Sequence, residues 1–170
     1  MIKSWLEKTV IGLDLCPFTH RPYLEGKILI EELSGKDSSV ARQEFLSSLD
    51  AFQAQNKFVT ALLVFPHWKI SFKDFYDFSQ DCEDLLHSLN LQNEFQLVAF
   101  HPQFCFEGLE FSNRANLVNS SPSPLIHILK VSDLELLNLS PKEAEAISFG
   151  NASKLEGLTE QQIRDHFPWR

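Results

Sequence analysis

The stretch from Val59 to Phe65 is the feature that most constrains the fold, because it is almost wholly apolar (Val-Thr-Ala-Leu-Leu-Val-Phe). A run of this length and composition is typical of a strand that is covered on both faces. Shorter strand-like runs occur at 28–33 and 95–100. Residues 59–65 are therefore predicted to form the central strand of a sheet that contains all three segments.

Amphipathic helices are predicted between these strands. Apolar residues recur at helical spacing in 41–52 and again in 75–89, and Ser71 is suited to cap the second helix. Since helical crossovers join parallel strands, the pattern predicts a small α/β domain of about three to four strands in two or three layers. Ligands of parallel sheets bind beyond the carboxyl ends of the strands, which places His67 and His101 at the expected edge.

The length and the charge of the chain limit its class. With 170 residues it fits a single domain, residues 1–170, with an α/β core and polar loop over 1–130 and a helical C-terminal extension over 131–170. The net charge of −8 argues against a nucleic-acid partner, because an acidic surface repels phosphate backbones. Three capping boxes predict the helices of the extension: Ser132…Glu135, Ser140…Glu143 and Thr159…Gln162.

The cysteines and the apolar segments indicate where the protein resides. Cys16, Cys82 and Cys105 are odd in number and lack C-x-x-C spacing, which is typical of free thiols in a reducing compartment. Glu7 and Lys8 interrupt the apolar region that a signal peptide needs. No stretch approaches the length of uncharged apolar sequence that spans a bilayer, so no membrane partner is expected. These features predict a cytoplasmic protein.

A long polar passage separates His101, just after the third strand, from His127. Its middle, 108–121, is predicted to be free of helix, and a helix that carries His127 is predicted to start near Pro124. Such a passage in a small domain is usually functional or disordered, and its apolar residues favour order. Because buried polar groups need partners, we expect His101, His127 and the Asn116–Ser121 segment to meet in one pocket, with Cys16 or His67 as a further neighbour.

Four short motifs follow one another along the chain: Leu15-Cys-Pro-Phe18, Val64-Phe-Pro-His67, Phe100-His-Pro102 and Ala115-Asn116…Asn119-x-Ser-Pro-x-Pro-x-x-His127. In these motifs the chain resembles a family of uncharacterised bacterial proteins, domain of unknown function 1415, from about the first helix to Lys130. The resemblance implies a soluble bacterial protein and no established activity. Ser120 and Lys130 stand where the family pattern has Arg. If those arginines hold an anion in the family, this chain would bind the anion less well or would use Arg114 or Lys130 instead.

Cys16 has two interpretations. As a nucleophile or a metal ligand it would need a thiol pKa that is lowered by a nearby His or Arg, and His20 and Arg21 are close in sequence. As a structural residue it would be a small buried apolar side chain, which is the commoner role of Cys.

The histidines also have two interpretations. Cys16, His67, His101 and His127 together could bind zinc or another divalent metal, although their wide spacing matches no zinc signature. As acid–base groups the histidines would titrate near neutral pH. As structural groups, His67 and His101 would close strand ends through hydrogen bonds, and His127 would lie inside an apolar helix.

Amides and hydroxyls that precede the predicted helix offer a cradle for an anion, since free N–H groups gather at a helix start. The same residues are also ordinary helix caps. The ligand-binding candidates are Arg21, Arg114, Asn116, Asn119 and Ser121. No Walker loop, dinucleotide fingerprint, nucleophile elbow or H-E-x-x-H motif occurs.

These observations predict an enzyme or a small-ligand-binding protein with its site at the carboxyl ends of the strands. The candidate catalytic residues are Cys16, His67, His101 and His127. The alternative is a non-catalytic interaction or scaffold protein whose polar loop is structural. The two hypotheses differ in whether these side chains converge on one concave pocket.

Overall fold

The computed structural model describes residues 1–16, 19–132 and 141–170, except for the side chains at 141–146, 148 and 149. Four strands form one sheet in the order β1-β2-β4-β3. The strands are β1 (Ile28–Glu32), β2 (Thr60–Val64), β3 (Phe95–Phe100) and β4 (Leu125–Lys130). The predicted mixed α/β class is confirmed, and so is the internal position of β2.

The sheet is mixed rather than parallel. β1 pairs with β2 in parallel, as the helical crossover between them predicts. β4 lies between β2 and β3 and is antiparallel to both. The first three strands therefore run in one direction, but β2 and β3 do not touch through backbone hydrogen bonds.

The helix predicted near Pro124 is wrong, because the segment that carries His127 is strand β4. Apolar residues stand on both sides of His127, a pattern that also fits a buried helix. The structure explains the pattern differently, since both faces of β4 are covered. Ile126 and Ile128 face one core, and Leu125 faces another on the opposite side of the sheet.

Two long helices cover one face of the sheet: α3 (Ser38–Gln53) and α4 (Phe72–Ser88). The predicted cap is confirmed, since Ser71 Oγ accepts a hydrogen bond from the Asp74 backbone N–H at 3.1 Å. The aromatic centre of this core is Phe65, whose ring meets the rings of Phe75 and Phe78 edge-on at 5.9 and 5.7 Å.

The N-terminal segment covers the other face. It begins as α1 (Ile2–Trp5) and continues as a π-helical segment, π1 (Leu6–Ile11), and a short helix α2 (His20–Leu24) follows. Ile2, Trp5 and Leu6 pack against the sheet here. π-helical turns often occur beside functional sites, where they redirect side chains.

The passage between β3 and β4 contains a 3-10 helix, Arg114–Asn119, so the expectation of a helix-free segment is wrong. The C-terminal part forms α5 (Pro141–Glu156) and α6 (Glu160–His166). The capping box at Thr159 is confirmed, whereas the other two predicted boxes extend outside the described residues. A third small core joins Leu117 to Leu155 and Phe167.

Two predictions concern the whole chain: that its cysteines are free thiols and that it has no membrane-spanning segment. Cys16, Cys82 and Cys105 are all free, as their odd number predicts. Within the described part of the chain, no helix is long and apolar enough to cross a membrane.

Candidate functional site

A cavity of about 430 Å³ lies between the sheet and the N-terminal segment. Its floor is the sheet face opposite α3 and α4, with side chains contributed by Ile28, Thr60, Leu62, Phe100, His127 and Leu129. The cavity extends over the middle of the sheet and reaches the first residues of β1 and β2. At β1 and β2 the cavity therefore does not lie beyond the carboxyl ends, where the sequence predicts the site, although Phe100 at the carboxyl end of β3 lines it.

The walls of the cavity are mostly apolar. Trp5, Leu6 and Val10 come from α1 and π1, and Leu117 and Phe167 come from the 3-10 helix and the C-terminal segment. Trp5 also meets the ring of Phe100 edge-on at 5.7 Å, which fixes the helix on the sheet.

His127 is the polar group on the floor. Its Nε2 lies 2.6 Å from Thr60 Oγ1, and Thr60 Oγ1 donates its single proton to the Ile128 carbonyl oxygen at 2.7 Å. Thr60 can therefore only accept from the ring, so Nε2 carries the proton of the neutral imidazole. Nδ1 is left with a free lone pair. It has no hydrogen-bond partner among the described residues.

The environment keeps this imidazole neutral. Burial lowers the pKa of His127 to about 4. The ring is nevertheless partly accessible, because it borders the cavity. His127, a residue of the cavity lining, thus keeps an unprotonated Nδ1 throughout the neutral pH range.

Cys16 lines the same cavity, at the end of the N-terminal segment. The preceding residue is held from the C-terminal part, since Asn151 Nδ2 donates to the Leu15 carbonyl oxygen at 2.5 Å. The thiol is partly buried. Cys16 and His127 therefore belong to one cavity although β1, α3, β2, α4 and β3 lie between them in sequence.

Three other polar groups of the lining, Arg21, Asn119 and Ser120, are engaged in the protein itself. Asn119 Nδ2 donates weakly to the Ala99 carbonyl oxygen at 3.4 Å, and Ser120 Oγ accepts from Trp169 Nε1 at 2.9 Å. Arg21 has a side chain that is 88% exposed and lies 2.7 Å from a Glu25 carboxylate oxygen. The site is therefore an apolar chamber with a few fixed polar atoms.

Comparison with known proteins adds a family. A family model described as "Protein of unknown function (DUF1415)" matches residues 1–165. The chain belongs to this family. The match continues past Lys130 through the C-terminal helices, so the expected end of the resemblance is too early. No match was found among curated proteins or among solved structures.

His101 does not line the cavity that contains His127. Its ring lies on the opposite face of the sheet, against α4, with centroids 5.7 Å from both Phe72 and Phe75. Nδ1 accepts from the Gln103 backbone N–H at 3.0 Å, so Nε2 donates to the Ile70 carbonyl oxygen at 3.2 Å. The expectation that the two histidines meet in one pocket is wrong.

Three more of the predicted residues lie away from the cavity, and two of them make structural contacts. Arg114 donates to the carbonyl oxygens of Glu156 and Leu158, at the junction of α5 and α6, and pairs with Glu160. Ser121 Oγ donates to the Ser123 carbonyl oxygen at 2.6 Å. His67 is exposed on the turn after β2.

Asn116 is fully buried and is satisfied by the loop before it. Its Oδ1 accepts from the Phe106 backbone N–H at 2.9 Å, and its Nδ2 donates to the carbonyl oxygens of Glu110 and Phe111 at 2.9 and 3.3 Å. These bonds close the loop over 106–116. Asn116 therefore shapes the polar loop and does not reach the cavity.

The predicted metal set is not assembled. His67, His101 and His127 lie respectively on an exposed turn, on the α4 face and in the cavity. Within the described residues, no group of three or more His, Cys, Asp or Glu side chains is placed to hold a metal ion.

Sequence reasoning found Cys16, Arg21, Asn119 and His127 of the lining but missed Thr60, which fixes the proton of His127. The sequence did contain a signal for Thr60, because a hydroxyl at the start of an otherwise apolar buried strand needs a hydrogen-bond partner. Pairing it with His127 required the antiparallel register of β2 and β4, which the helix prediction excluded.

Proposed function

We propose that the protein binds a small, mostly apolar molecule in the cavity between the sheet and the N-terminal segment. The single observation that carries the proposal is an apolar chamber of about 430 Å³ whose floor presents His127. This volume falls in the range of small-molecule sites, which are typically apolar with a few fixed polar groups.

The role of His127 in the proposal is to orient the ligand. Its Nδ1 lone pair is directed by the hydrogen bond between Nε2 and Thr60, so a ligand donor would meet an acceptor of fixed position. Cys16 supplies a second functional group in the lining. If the protein is an enzyme, these two side chains are its candidate catalytic residues.

An apolar dye tests the proposal directly. N-phenylnaphthylamine should bind the wild-type protein saturably, with a rise in dye fluorescence. Val10→Trp places an indole in the cavity wall and should weaken binding at least about ten-fold, because the added volume competes with the dye. The measurement is a fluorescence titration, with circular dichroism to verify that the variant is folded.

The matched control is Val40→Trp, the same substitution on α3, where Val40 is 42% exposed. Its dye affinity should equal that of the wild type. Equal affinities for all three proteins, or no saturable binding at all, would contradict the proposal.

A second candidate function, a non-catalytic interaction protein, is favoured by the polar loop. Asn116 and Arg170 bond to the backbone of this loop, as expected of a structural element: Arg170 Nη2 donates to the Phe111 carbonyl oxygen at 3.0 Å. The exposed apolar side chains of the loop include Phe106 and Phe111. If the cavity does not bind the dye, this second function is the better supported of the two.

The free cysteines support a further part of the proposal, namely that the protein works in the reducing environment of the cytoplasm.

A further inference from the structure

We infer that the ligand of this cavity is a neutral molecule that carries one hydroxyl or N–H donor on an apolar body, and that carboxylates are excluded. The inference rests on the proposed function, because it names the class of molecule that the same cavity accepts.

The donor requirement follows from the geometry of His127. Thr60 has one hydroxyl proton, which goes to the Ile128 carbonyl oxygen, so the ring must donate through Nε2. Nδ1 is then an acceptor on a side chain that lines the cavity, and it has no partner among the described residues. A ligand hydroxyl or N–H satisfies this lone pair, whereas a ligand oxygen without a proton opposes it.

The exclusion of carboxylates follows from the charges around the cavity. Of the described cations in the lining, Arg21 pairs with Glu25 at the surface. Lys130 Nζ donates to the Phe58 carbonyl oxygen at 2.9 Å and lies 4.7 Å from the Phe52 ring centroid, so its charge is held on the α3 side. Neither compensates an anion inside the chamber.

An ionised carboxylate that enters such a chamber loses its hydration without gaining a counter-charge. The His127 imidazole does not help, because it is neutral, with the pKa held near 4 by burial. A hydroxyl loses far less hydration and regains one hydrogen bond. An alcohol should therefore bind better than the carboxylate of the same chain length.

Displacement of N-phenylnaphthylamine by three chain-matched probes tests the inference at about pH 8, where carboxylic acids are ionised. The probes are decanol, its methyl ether and decanoate. Decanol should displace the dye at concentrations at least about ten-fold lower than either of the others, as expected for one hydrogen bond that the ether cannot make and one charge that the cavity cannot hold.

His127→Phe, which keeps a ring but removes the acceptor, should abolish the difference between decanol and the ether. If this variant does not fold, the three probes on the wild-type protein decide alone. An ether as potent as decanol overturns the donor requirement, and a decanoate as potent as decanol overturns the exclusion of carboxylates. Failure of all three to displace the dye overturns the inferred class.

These failures differ from a failure of the proposed function. The proposed function is contradicted if dye binding is not saturable, or if Val10→Trp does not weaken it. In either case the inference about the ligand class fails as well. If Val10→Trp weakens dye binding but decanol does not displace the dye more potently than the ether and decanoate, only the inference about the ligand class fails.

Discussion

Lowering the pH from about 7 to about 4.5 should destabilise the folded protein by about 4 kcal/mol, because two buried histidines resist protonation. Burial lowers the pKa of both His101 and His127 to about 4. Urea denaturation at a series of pH values measures the change in the free energy of unfolding.

The sign follows from the proton uptake of the two states. In the unfolded chain a histidine takes up its proton as the pH falls below about 6.5, whereas in the folded protein His101 and His127 stay neutral until about pH 4. Between these values the unfolded state binds more protons, so stability falls as the pH falls. Each histidine contributes about 2 kcal/mol of this loss at pH 4.5.

His101→Asn separates the contribution of one histidine. The Asn amide oxygen can accept from the Gln103 N–H in place of Nδ1, but it does not titrate. The loss of stability on acidification should therefore shrink by about 2 kcal/mol. The control is His87→Asn at an exposed position of α4, which should keep the wild-type pH dependence. Identical pH dependence in wild type and His101→Asn would show that the explanation is wrong.

Replacing Asn116 by Leu should cost about 3 kcal/mol of unfolding free energy, since it leaves the Phe106 N–H and two loop carbonyls without their partner. Leu has a similar volume, so the cost would reflect hydrogen bonds and not a cavity. Urea denaturation measures the cost. Amide hydrogen exchange at Phe106 should also become faster, because its acceptor is gone.

The matched control for this variant is Asn113→Leu, three residues away. Asn113 is exposed and caps the 3-10 helix by accepting from the Ala115 N–H at 2.9 Å. Its loss should cost only about 1 kcal/mol. If the two variants lose the same unfolding free energy, the buried hydrogen bonds of Asn116 contribute no more to stability than the exposed cap at Asn113.

The sequence was sufficient to predict the first three strands and the two helices between them. Their patterns are local, with helical spacing in 41–52 and 75–89 and an apolar run at 59–65. β4 was not predictable in the same way. A strand that is buried on both faces has no alternation of polar and apolar residues, and six apolar or mixed residues fit a helix equally well.

The error in β4 also explains the error in the site. Side chains alternate along β3, so Phe100 faces the cavity and His101, the next residue, faces α4. His127 is placed opposite Leu62 and Val98 by the register of β4, which only the tertiary structure gives. The sequence therefore identified four lining residues but assigned His101 to the wrong face.

The insertion of β4 between β2 and β3 has a consequence for synthesis in the cell. Until β4 has been made and inserted, β2 has one open edge and β3 has no strand partner in this sheet. Exposed strand edges in a nascent chain are prone to associate with other chains. Substitutions that weaken β4 should therefore reduce yield through aggregation during translation, more than the stability of the finished protein would suggest.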